Sequence, residues 1–152
     1  MVTIRELLPE DVSAVIKIAQ ALPEWFDADA RNRAIPIDLG FQDGFVAQQN
    51  DCVVGFITLF VAEGRVNIGW MGVHPDHHSC GIGGRLLDAA EGYCRSAGIH
   101  ELATYTLGDS VDYPPYEATR GFYTSHGFTI YQRSKTDNPG CPEEIRIKKY
   151  LT

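Results

Sequence analysis

The segment from Val66 to Ala97 limits what this chain can fold into more than any other. Val66 to Val73 reads as a strand, and Leu86, Leu87, Ala90, Cys94 and Ala97 fall on one face of a helix. Between them lies His78-Ser79-Cys80-Gly81-Ile82-Gly83-Gly84-Arg85. Gly81 and Gly83 carry no Cβ where a backbone must approach a ligand closely. A strand that turns through such a loop into a helix offers free N–H groups at the positive end of the helix dipole, which suits an anion such as a diphosphate. Arg85 would add a charge-assisted hydrogen bond. The plain alternative is a glycine-rich turn that only packs strand against helix.

Two common anion-binding loops do not fit. A dinucleotide fingerprint wants a third small residue where this chain has Leu86. A P-loop wants Gly-Lys-Ser/Thr, and no such run is present.

The flanking sequence predicts one domain over residues 1–152 of a mixed α/β kind. Ile4 belongs to a short first strand. Pro9, followed by Glu10 and Asp11, opens a helix along which Val12, Val15, Ile16, Ala19 and Leu22 recur, and Pro23 stops it. Trp25 to Ala34 reads as a second, irregular helix. Phe45 to Gln48 and Cys52 to Leu59 flank an Asn50-Asp51 turn, and Glu63-Gly64 turns into Val66. After the glycine-loop helix, which Gly98 closes, come a strand at Leu102–Leu107, a helix from Pro114-Pro115 through Tyr123, and strands near Phe128–Arg133 and Ile145–Tyr150.

Composition narrows the partners. A net charge of −7 with no Lys/Arg stripe disfavours nucleic acid and anionic acceptors. No apolar run approaches the ~20 residues a membrane span needs. The first residues do not resemble a signal peptide, so a cytoplasmic location is expected, with Cys52, Cys80, Cys94 and Cys141 as free thiols. His74, His77 and His78 crowd one turn and are poorly spaced to converge, so no metal is expected.

Val73-His74-Pro75 followed by His78-Ser79-Cys80-Gly81-Ile82-Gly83 resembles the [Gln/Arg]-x-x-Gly-x-[Gly/Ala] loop of the GNAT acetyltransferase family, with His78 where Gln or Arg is usual. Tyr116 to Phe128 resembles that family's late helix with its Phe-Tyr-x-x-x-Gly-Phe ending, Tyr116 replacing a common Asn and Thr119 a common Ala. The motifs stand in the family's order, and the resemblance covers nearly the whole chain. It implies a GNAT-type acyl-CoA N-acyltransferase fold: a mixed, partly splayed sheet flanked by helices, with the co-substrate between two parallel central strands. It also implies transfer of the acetyl group of acetyl-CoA to a primary amine of a small molecule or peptide by direct attack. The corresponding binding residues are Met71, Gly72 and Val73, whose strand would offer N–H groups to the thioester carbonyl, the loop from His78 to Arg85, and Tyr116, Thr119 and Phe122. A non-catalytic acyl-CoA-binding module or sensor is the alternative class.

The chemistry needs three services. An alkylammonium of pKa ~10.4 is only about one part in ~2,500 neutral at pH 7, a penalty of ~4.6 kcal/mol, so a proton must leave. Many relatives place a Glu on the strand before the loop; here that position is Asn67, and His74, His78, Glu63, Asp76, Glu24 or a water chain remain as candidates. The carbonyl oxygen needs donors as charge develops. The leaving thiolate needs a proton or a donor, and Tyr123 matches the tyrosine that the family uses there. Proton transfer from a phenol of pKa ~10 to a thiolate of pKa ~8.5 runs uphill by about 2 kcal/mol, so Tyr123 is expected to act first as a hydrogen-bond donor. Its other reading is a half-buried helical aromatic beside Phe122. For the acceptor, Trp25, Phe26, Asp27 and Asp29 and then Asp109, Asp112, Tyr113 and Tyr116 combine acids with aromatics, which suits a cationic amine. A monomer or homodimer is expected, with the C-terminal strand as a pairing edge.

Overall fold

The computed structural model describes residues 1–152. Its strands are β1 (Val2–Glu6), β2 (Asp43–Gln49), β3 (Cys52–Ala62), β4 (Arg65–Val73), β5 (Glu101–Leu107), β6 (Thr129–Lys135) and β7 (Glu143–Tyr150). They form one sheet in the order β1-β2-β3-β4-β5-β7-β6. The helices are α1 (Val12–Gln20), α2 (Ile35–Asp38), α3 (Ile82–Ala97) and α4 (Pro114–Ser125). None of them is long and apolar enough to cross a membrane.

The early strands form a meander because their turns are tight. Asn50 and Asp51 take φ of 51° and 63°, the left-handed pair of a type I′ turn, and Glu63 and Gly64 repeat it at 58° and 74°. α3 buries Ile82, Leu86, Leu87, Ala90 and Cys94 against one face of the sheet and ends at Gly98 with φ 70°. Burying a leucine such as Leu86 or Leu87 stabilises the fold by roughly 1.5–3 kcal/mol. α1 covers a separate cluster in which Val15, Ile18, Ala19 and Leu22 meet Val46 and Phe56.

β4 and β5 form the only parallel pair, and only Val66↔Leu102 and Asn67↔Ala103 are in register. A bulge helps to turn β4 away: Leu59 pairs with Ile68 but Ile57 with Met71, so β4 carries one extra residue. The Thr58 hydroxyl fills the break by accepting the Trp70 N–H at 2.8 Å. Past this point the two strands separate.

Four expectations need correction. Ala97, the last residue of its helix, is exposed one turn past the buried Cys94, whereas Ile18, absent from the α1 pattern, is buried. Pro9 opens a short 3₁₀ turn instead of α1 itself. Its Asp11 accepts the Leu8 N–H at 2.8 Å and both Arg5 nitrogens at 2.7 and 2.9 Å. Trp25 lies in a non-helical connection; the irregular helix is a wide turn at Ala30–Ala34 that runs on into α2. The C-terminal strand is not an edge either, since β7 pairs with both β5 and β6 and leaves β6 outermost.

Candidate active site

The gap between β4 and β5 opens a cleft of about 1200 Å³. His74 donates its N–H to Val54 on β3 at 2.8 Å, which fixes the alternation at the end of β4. The N–H and C=O groups of Met71 and Val73 therefore face the other edge, the one β5 has left. His78 confirms this side for Val73, since its Nε2 lies 2.7 Å from the Val73 carbonyl. Met71, Gly72 and Val73 all line the cleft.

The loop that follows is built on backbone. Ser79 and Gly81 take φ of 67° and 76°. Gly81 is the N-cap of α3, and no side chain caps the helix there. The N–H groups of the first turn consequently lack partners inside the helix and are available to an anion. Gly83 matters for a different reason: a Cβ at that position would sit 3.0 Å from Phe122 Cε1 and 3.1 Å from Cζ. With no side chain at Gly83 the loop meets α4 without displacing the Phe122 ring.

His78, Ser79, Gly81, Ile82, Gly83 and Gly84 line the cleft, while Cys80 and Arg85 do not. Cys80 is exposed. Arg85 reaches away from the loop, and its Nη1 donates to the Val2 carbonyl on β1. The charge-assisted contact expected from Arg85 is therefore already committed elsewhere. No Lys or Arg lines the cleft at all, and His77, His78 and His126 are its only basic side chains.

α4 supplies the facing wall. Tyr116, Thr119, Phe122 and Tyr123 all line the cleft. Tyr123 is 6% exposed, and its hydroxyl donates to the thioether sulfur of Met71 at 3.8 Å. Burial pushes the phenol far above its ordinary pKa, so it stays protonated and remains a donor at any physiological pH. Burial also pushes Tyr116 up to about 12, and its hydroxyl donates to the Trp25 carbonyl.

That last bond is one of three that clasp the α1–α2 connection to the start of α4. Trp25 Nε1 donates to Pro115 O at 3.0 Å, and Tyr113 Oη donates to Glu24 O at 2.6 Å. The β6–β7 connection joins them: a Cβ on Gly140 would lie 3.1 Å from Asp27 Oδ2. Trp25, Phe26 and Tyr113 thus line the cleft as expected, together with Glu24, Asp27, Asp29 and Asp112. Asp109 does not. It forms an ion pair with Arg133 at 2.6 Å, which holds its carboxyl below the usual range, and it faces a different groove.

Of the candidate bases, Glu24 and His78 line the cleft. His74 lies beside Asp76 at 3.7 Å, and Glu63 pairs with Arg65 and Arg146 at 3.4 and 3.7 Å, all outside it. Asn67 donates its amide to the Ala62 and Arg65 carbonyls. No group of three His, Cys, Asp or Glu side chains is placed to hold a metal ion. Sequence reasoning missed Thr104, Tyr105 and Thr106 on β5, His126 just past the end of α4, and the β6–β7 connection from Asn138 to Pro142, all of which line the cleft. The strand period could have placed the β5 residues once β5 was known to flank a gap. Nothing in the local pattern of residues 138–142 points to a site.

Comparison with known proteins places this geometry in context. The family model for the acetyltransferase (GNAT) domain matches residues 41–130. Among solved structures, the chain superposes on a protein from Desulfovibrio desulfuricans assigned to the GNAT family as an acetyltransferase, with a TM-score of 0.84, 22% identity and 100% of both chains covered. The ribosomal-protein-S18-alanine N-acetyltransferase from Escherichia coli gives 0.79 at 18% identity, over 100% of this chain and 95% of that one. A GNAT family acetyltransferase from Elizabethkingia anophelis with acetyl-CoA bound gives 0.72 at 19% identity, over 99% and 98%. No curated protein matches the sequence.

Proposed function

Because the chain belongs to the GNAT acetyltransferase family, we propose that it transfers the acetyl group of acetyl-CoA to a primary amine that carries positive charge. The observation that carries this reading is the cleft between β4 and β5, with uncapped helix N–H groups at one end and, at the other, the carboxylates Glu24, Asp27 and Asp112 without a cation paired to them, beside Asp29, which Arg33 pairs.

Acetyl-CoA supplies an activated thioester, and the chain's own groups do the rest. The α3 N-terminus and the loop N–H groups hold the diphosphate. The outward N–H groups of Met71 and Val73 are available to the thioester oxygen as it gains charge. The amine nitrogen attacks the carbonyl carbon, a C–N bond forms, the C–S bond breaks, and the nitrogen gives its second proton to solvent as the amide forms. Tyr123 donates its phenolic hydrogen bond to the departing sulfur, as it already does to the Met71 thioether. Its raised pKa makes full proton transfer costlier than for an ordinary phenol, so the thiolate is stabilised by the hydrogen bond and protonated from solvent.

At the acceptor end, Glu24, Asp27 and Asp112 favour a cation, and Trp25 and Tyr113 add aromatic faces. The ammonium must lose its proton before attack, and with Asn67 in place of a strand carboxylate we assign that step to water leading to the acids at the mouth.

Kinetics of Tyr123→Phe test the catalytic part. The expected result is a fall in kcat of roughly 10²-fold with little change in KM for acetyl-CoA. Unchanged turnover would remove Tyr123 from the mechanism.

A further inference from the structure

The short 3₁₀ turn after β4 runs from Pro75 to His77, and His78 leaves it with extended backbone at φ −62° and ψ 150°. This brings the His78 ring back over the end of the strand, where its Nε2 lies 2.7 Å from the Val73 carbonyl oxygen. A carbonyl can only accept, so the proton of the neutral ring sits on Nε2. Nδ1 is then the basic nitrogen, and no group of the chain donates to it. His78 is exposed, so water reaches the ring.

The ring stands between the two ends of the cleft. In extended backbone the N–H and C=O of one residue leave on the same edge, so the imidazole lies beside the Val73 N–H, which the proposed function offers to the thioester oxygen. It also meets the indole of Trp25 edge-on, with ring centroids 5.8 Å apart. Trp25 belongs to the stretch that carries Glu24 and Asp27 to the mouth. The other two histidines of the cleft are placed differently. His126 turns Nδ1 to the Phe122 carbonyl at 2.8 Å, and its Nε2 lies 3.2 Å from the Cβ position of Gly84, at the start of α3. The His77 ring pairs edge-on with that of His74, which lies outside the cleft.

We propose that His78 relays the proton that the attacking amine must lose. The ammonium gives a proton to the intervening water, and the water gives one to Nδ1, which leaves a neutral amine and an imidazolium. The imidazolium returns that proton to water at the mouth beside Glu24 and Asp27, and the Nε2–H stays on the Val73 carbonyl throughout. The inference rests on the proposed function and names the group between its water and its acids. An imidazole suits the step because it exchanges its proton near neutral pH. The charged and titratable groups around the ring are Glu24 and Asp27 beside Trp25, and Asp76, His77 and Cys80 on its own loop; Met71 to Val73 bring none.

Steady-state kinetics across pH on the full chain, for wild type, His78→Gln and His78→Ala, test this. Glutamine can still donate to the Val73 carbonyl but cannot take up a proton. His78→Gln is expected to lower kcat roughly 10²-fold, with KM for acetyl-CoA within about twofold of wild type. Wild-type kcat should fall on acidification through the range where an imidazole titrates, and this limb should be missing from His78→Gln. Added imidazole should raise the turnover of His78→Ala in proportion to its concentration, which a purely structural role for the ring would not allow. A His78→Gln kcat within about threefold of wild type, the same acidic limb in both, or no response of His78→Ala to imidazole would each overturn the inference and leave the proposed function standing. Wild type that releases no thiol with any amine would instead overturn the proposed function itself.

Discussion

At the end of the cleft bounded by Gly81 to Gly84, the lining is backbone and small side chains; at the end bounded by Trp25, Tyr113 and residues 138–142, it is rings and carboxylates. The first end comes from one continuous strand–loop–helix segment. The second is assembled from three stretches apart in the chain, two of them clasped by hydrogen bonds between side chains and distant carbonyls. An end made of backbone can hold the part of a ligand that never varies. An end made of converging side chains can be changed residue by residue, and that is where the proposed function puts the choice of acceptor.

The largest break in this comparison should come from Gly83→Val. Its side chain would drive into the Phe122 ring, which already lies 3.0 Å from the Cβ position. A displacement of about 1 Å at a reacting site costs roughly 10²-fold, and kcat/KM for acetyl-CoA should fall by about that much for every amine tested. A loss confined to one amine would mean that the two ends are not separable.

Tyr116→Phe probes the other end. Losing the bond to the Trp25 carbonyl should loosen the clasp, raise KM for the amine by about fivefold, and leave KM for acetyl-CoA close to wild type. The melting midpoint should drop by roughly 2–4 °C.

Alkaline unfolding sharpens the same contrast. The folded-state pKa of Tyr116 and that of Tyr123 are both raised by burial, while an unfolded tyrosine ionises near ~10. Below pH ~10 their contribution to stability is complete; above it the unfolded chain loses these protons first, so stability falls as pH rises from ~10 towards about 12. Replacing either ring with Phe should flatten that decline, as followed by circular dichroism.

The smallest functional effect belongs to Asp11, remote from both ends. The Arg5 hydrogen bond holds its carboxyl below the usual range, so its contribution is present above pH ~4 and is lost as pH falls through the lowered folded value. Asp11→Ala should cost about 2 kcal/mol in urea unfolding at neutral pH and leave kcat unchanged.

The same contrast explains what the sequence made legible. Gly81, Gly83 and Gly98, and the paired turns at Asn50-Asp51 and Glu63-Gly64, sit where φ or close approach restricts the residue type, and each could be read locally. The place of Tyr123 on the cleft wall was legible through the resemblance of Tyr116 to Phe128 to the family's late helix. Arg85 was misassigned because a flexible side chain on an exposed first turn can reach either way, and here it reaches β1. Asp109 was misassigned for a related reason: Arg133, on a strand far along the chain, draws it out of the cleft. The β7 insertion between β5 and β6 is a matter of strand order, which periodicity does not encode.

The central claim is transfer from acetyl-CoA to a positively charged amine, and free-thiol release across a panel of size-matched primary amines tests it most directly. The account predicts release that depends on the amine and is fastest for acceptors bearing a second positive charge, drawn by Glu24, Asp27 and Asp112. Tight CoA binding with no thiol released by any amine would contradict it and identify a non-catalytic acyl-CoA-binding module instead.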